Sequence, residues 1–91
     1  MIKENTFKKW LIEEKQYNEY SARDVLSRCR RVEKVFNIKL SKTVKSINGY
    51  NNIRQRLLDE FYRYIKPGPN TKKSVSAIVT AIKVYHNFLN S

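Results

Sequence analysis

"SARDVLSRCRRVEKVF", residues 21–36, decides the fold. Ala22, Val25, Leu26, Cys29, Val32 and Phe36 recur at intervals of three and four, the repeat of one buried face of an α-helix. At 100° per residue, Arg23, Ser27, Arg30, Arg31 and Lys34 fall on the opposite side. Ser21 followed by Asp24 has the spacing of a capping box, Tyr20 is placed to staple against Val25, and Asn37 is a natural stop.

The same period appears on either side. Asn5 or Thr6 caps a first helix with Phe7, Trp10 and Leu11 on one side, ending near Gln16. Residues 38–52 mix β-branched, polar and turn residues, which reads as a loop with one short helical turn around Ser41–Lys45. A third long helix is expected over 51–65, with Ile53, Leu57, Phe61, Tyr64 and Ile65 inward. "KPGPN", residues 66–70, ends it, because Pro67 and Pro69 cannot continue the hydrogen-bond ladder. Thr71 caps a last helix running to Leu89, with Val75, Ile78, Val79, Ile82, Tyr85 and Leu89 in the core. Ala77, Ala81, Val84 and Phe88 widen its apolar face. The expectation is all-α: a compact bundle of four helices, or five, in a single domain covering residues 1–91.

Lysine and arginine number 19 against eight acids, a formal charge of +11. Residues 21–45 hold eight of the basic side chains against Asp24 and Glu33, and no acid follows Glu60. Such an excess is self-repulsive until something anionic relieves it, and nucleic acid is the first candidate partner. A solvated helix face is the plain alternative. Such a face normally alternates both signs at i, i+4, however, whereas here Asp24 and Glu33 sit toward the flanks. Arginine also outnumbers lysine four to one in this stretch, and the guanidinium fork suits phosphate and guanine. On the last helix, Lys72, Lys73, Ser76, Thr80, Lys83 and Asn87 form a second polar strip, with small hydroxyl side chains that allow close approach to a sugar–phosphate backbone.

Catalytic chemistry is not indicated. His86 is the only histidine and Cys29 the only cysteine, so no metal pair or disulfide framework can be assembled. Tyr50, Tyr62, Tyr64 and Tyr85 have packing explanations, and none of the six tyrosines stands beside the cationic cluster that phosphodiester attack requires. No secretory leader is recognisable, and "VSAIVTAI" is too short to span a bilayer. The expectation is a soluble cytoplasmic protein with no cofactor, metal, membrane or small-molecule substrate.

The ordered segments "FKKWLIEE" (7–14), "YSARDVLSRCRRVEKVF" (20–36), "FYRYI" (61–65) and "SVSAIVTAIKVYHNFLN" (74–90) resemble the N-terminal core-binding domain of phage integrases and other tyrosine recombinases. That family's module is a SAM-like four-helix bundle, so the resemblance implies an orthogonal packing of the helices. It departs at Arg28 or Cys29, where a tyrosine is common, and in the longer, more polar stretch 38–52. No Arg…His-x-x-Arg…Tyr catalytic box is present; "HNFLN" is not one. The resemblance implies a non-catalytic clamp that grips double-stranded DNA while a separate catalytic recombinase domain cuts. Its contacts would come from Arg23, Ser27, Arg30, Arg31 and Lys34 and from Lys72, Lys73, Ser76, Thr80 and Lys83. A helical protein-interaction module meeting an acidic protein surface, in the manner of a phage-type inhibitor or adaptor, is the alternative. Charge alone does not separate DNA from RNA.

Overall fold

The computed structural model describes residues 3–60 and 71–91, the side chains of 71–74 apart. Five helices occupy them: α1 (Glu4–Glu13), α2 (Glu19–Phe36), α3 (Leu40–Thr43), α4 (Ile47–Glu60) and α5 (Thr71–Leu89). No strand occurs among the described residues. The all-α bundle expected from periodicity is what forms.

Helix α5 is the hub, because its wide apolar face lets it pack against α1, α2 and α4 at once. Val75, Ile78, Ala81, Ile82 and Tyr85 supply its buried side. They meet Phe7 and Leu11 of α1, the Ala22-to-Phe36 stripe of α2, and Ile53 and Leu57 of α4 in one continuous core. Each fully buried Leu, Ile or Phe contributes about 1.5–3 kcal/mol relative to exposure. An aromatic knot ties α1 to the end of α5: Phe7 lies 4.9 Å from Tyr85 and 5.0 Å from Phe88, centroid to centroid, and Trp10 lies 5.4 Å from Phe88.

Several helix ends differ from the sequence reading. Helix α1 begins at Glu4, ahead of both Asn5 and Thr6, with Lys3 in the left-handed region (φ 58°) and no side-chain cap. It stops at Glu13 instead of Gln16, which itself turns the chain at φ 56°. Helix α2 starts two residues before Ser21. Asn18 caps it, its Oδ1 accepting the Ser21 N–H at 2.8 Å, and Tyr20 is 79% exposed, so neither the Ser21–Asp24 box nor the Tyr20 staple is used. Asn18 does the same job one turn earlier and gains helix. Asn37 does end α2, in the left-handed conformation.

The stretch expected to be mostly loop is more ordered. Its short helical turn is α3, at Leu40–Thr43 rather than 41–45, started by the Leu40 N–H donating to Glu33 Oε2 at 3.0 Å. Helix α4 begins at Ile47, not 51, because Ser46 Oγ accepts the Gly49 N–H at 3.0 Å and Tyr50 is buried. The expected helical residues 61–65 and the "KPGPN" break lie outside the described residues. His86 fastens the α3–α4 corner to α5: its Nδ1–H donates to the Val44 carbonyl at 2.6 Å, and its ring stacks on Tyr50 with centroids 5.5 Å apart. Asn90 Nδ2 donates to Lys45 O at 2.7 Å beside it.

Candidate nucleic-acid interface

The buried stripe of α2 fixes where its polar face must point. With Ala22, Val25, Leu26, Cys29, Val32 and Phe36 all in the core, Arg23, Ser27, Arg30, Arg31 and Lys34 are all exposed on one ridge. Arg23 and Lys34 stand eleven positions apart, about 16 Å of helix. One strand of a duplex presents about five phosphates over that axial distance.

Among the described residues, two hollows flank the ridge, and Ser27 lines both. Toward α1, a hollow of about 330 Å³ is bounded by Glu4, Asn5, Lys8, Arg23, Leu26, Ser27 and Arg30. Toward α5, one of about 200 Å³ is bounded by Ser27, Arg28, Arg31, Ala77 and Ile78. The structure thus brings Arg23, Ser27 and Arg30 together on one flank, and Ser27 and Arg31 on the other. Lys34 continues the ridge beyond them.

On α5, Ser76, Thr80 and Lys83 are exposed, as expected. The lining of the α2–α5 seam on that side is Ala77 and Ile78, and the Ser76–Thr80–Lys83 strip stands one step further round the helix. Thr80 differs from expectation in its chemistry. Its one hydroxyl proton is donated to the Ser76 carbonyl at 3.0 Å, so it has none to offer a phosphate without turning away. Lys72 and Lys73 have side chains outside the described residues.

Acids are handled differently on α2 and α4. On α4, Arg56 Nε lies 3.3 Å from Glu60 Oε2 at i, i+4, with its guanidinium carbon 4.4 Å from the Phe36 ring centroid. On α2, Glu33 is turned off the ridge to start α3. Arg23 and Lys34 have no ion pair among the described residues. Arg30 has one: its Nε donates to Glu4 Oε1. That hydrogen bond holds the Glu4 carboxyl below its ordinary value, against the opposing effect of burial. The stripe is therefore not wholly without acids, as sequence spacing had implied, because an acid 26 positions away folds onto it.

Three participants were missed by sequence reasoning. Arg28, which the sequence reading did not include in the exposed face, is half-buried in the α5-side hollow. Lys8 and Glu4 come from α1, and only the α1–α2 packing brings them here. The helical position of Lys8 was readable, but Glu4 stood ahead of the expected cap, and the helix that both face was not readable.

Cys29 and Tyr85 are absorbed by the core. Cys29 is fully buried with Sγ 3.7 Å from the Ala81 carbonyl, and burial, helped by Glu33, pushes its thiol up to about 12. Tyr85 is buried, and that burial raises its hydroxyl to about 12. Among the described residues, no helix is long and apolar enough to cross a membrane. In comparisons with known proteins, the chain matches no family model, no curated protein and no solved structure.

Proposed function

We propose that this chain is a DNA-binding domain that grips duplex DNA through the exposed ridge of α2, assisted by the outer strip of α5. Its role would be that of the non-catalytic arm of a phage-integrase-type site-specific recombinase. The observation that carries the reading is the ridge itself: Arg23, Ser27, Arg30, Arg31 and Lys34 share one exposed helix face in a chain with a formal charge of +11. Arginine guanidinium groups give paired hydrogen bonds to phosphate oxygens, and serine donates one more. In this reading the chain binds and does not cut, and Cys29, Tyr50 and Tyr85 serve the core. The likeness to integrase core-binding domains, carried by the segments quoted above, supports the recombinase setting.

Titration of a labelled duplex across a range of salt concentrations tests this. Neutralising about five phosphates gives a slope of log K against log salt of about −4 to −5. The Arg30→Ala, Arg31→Ala double variant is expected to bind every duplex more weakly, with a slope shallower by about two. An affinity insensitive to salt, or an unchanged double variant, refutes the reading. Feeble duplex binding beside a saturable complex with an acidic protein would favour the interaction module instead.

A further inference from the structure

The hollow between α1 and α2 has the makings of a specific anion seat. Lys8, Arg23 and Arg30 line it from two helices, together with the polar residues Ser27 and Asn5. Its single acid, Glu4, reaches in from the first turn of α1 and holds Arg30. Lys8, at the other side, has only a long contact to Glu19, 3.4 Å, and Arg23 has no ion pair among the described residues. A carboxylate and a phosphodiester make the same demand on a guanidinium: two oxygens carrying one negative charge. Glu4, through the hydrogen bond its Oε1 accepts from Arg30 Nε, therefore competes with a phosphate for Arg30.

We propose that this hollow seats one phosphodiester group of the bound duplex between Lys8, Arg23 and Arg30, and that Glu4 fills the seat in the unbound chain and is displaced on binding. The proposal rests on the reading of the α2 ridge as a duplex-binding surface, and it adds an internal competitor to that surface. Exchange is feasible because both partners reach solvent: the Arg30 side chain is 55% exposed and that of Glu4 28%. An ion pair at such a site is held only weakly. Glu4 then keeps Arg30 oriented toward the hollow and lowers affinity for anions that cannot also engage Lys8 and Arg23.

The test is duplex titration at low salt with Glu4→Gln, with Glu14→Gln as a control. Glu14 is exposed at the far end of α1, so its variant reports the general effect of deleting one negative charge. Glu4→Gln is expected to tighten duplex binding about two- to five-fold beyond that control. In an Arg30→Ala background this advantage is expected to shrink toward the control, and Arg23→Ala alone is expected to weaken binding. Thermal melts of each variant establish that it is folded. A wild-type chain that binds duplex while Glu4→Gln only matches Glu14→Gln overturns the proposal and leaves the reading of the ridge intact. No duplex binding by the wild type overturns both. Inorganic phosphate supplies the remaining arm. Saturation of the hollow by free phosphate in a Glu4-dependent way, with duplex affinity indifferent to Glu4, would assign the seat to a small phosphate and overturn its role in the duplex complex.

Discussion

Cys29 shows how much one position in a periodic stripe settles. Its spacing from Val25, Val32 and Phe36 placed it in the core, and it is fully buried there. The thiol rises from 9.0 toward about 12 because burial penalises the thiolate. In the unfolded chain it ionises at its ordinary value, so the neutral thiol favours the folded state fully below pH 9 and progressively less as pH climbs toward 12. Tyr85 acts in the same direction from its ordinary 10.0. The folded chain is expected not to react with a thiol-specific disulfide reagent at pH 8, while the urea-unfolded chain reacts fully. Prompt reaction of the folded chain would show Cys29 to be accessible. The Glu4–Arg30 pair was illegible by contrast, because nothing in the local spacing of either residue says that α1 lies along α2.

At the scale of the element, the interiors of helices were readable and their ends less so. Asn37 was identified as the stop of α2 because a left-handed residue is required there and asparagine tolerates it. The start of α2 was misplaced since Asn18 and Ser21 are both good caps, and only the extended backbone at Asn18 chooses between them. Helix α4 hid its first turn behind "INGYNN", whose composition suggests a turn. The stacking of Tyr50 on His86, 36 positions later, is a tertiary contact that local composition does not contain. Gly49 belongs to that hidden turn for a steric reason: a Cβ there would run into the carbonyl oxygen of Thr43 at the end of α3. Gly49→Ala is therefore expected to lose stability despite alanine's better helix propensity, by about 1–3 kcal/mol for an overpacked site. Urea denaturation measures it, and an unchanged or raised midpoint would contradict the close approach of α3 to α4.

For the molecule as a whole, the all-α bundle was legible because each long segment repeats its apolar residues at helical spacing, and α5, apolar around most of its girth, had to lie in the middle. The ridge of α2 was legible for the complementary reason: burying one face of a helix exposes the other. The assembly around the ridge was not, since the two hollows depend on how α1 and α5 cross α2, and crossing geometry follows from packing among many side chains. That is why Lys8, Glu4 and Arg28 were found only in three dimensions, and why the polar strip of α5 stands beside the α2–α5 seam and not in it. The reading as a duplex-binding surface joins these levels, with a helix buried on one side, cationic on the other, and long enough to follow about five phosphates.

The most direct test of that claim is to follow the backbone amide resonances of the chain while a short DNA duplex is added. Shifts concentrated between Arg23 and Lys34, with a second group from Ser76 to Lys83, are the predicted result. Shifts centred on α4, or dispersed over the whole chain with the α2 ridge unmoved, would contradict it.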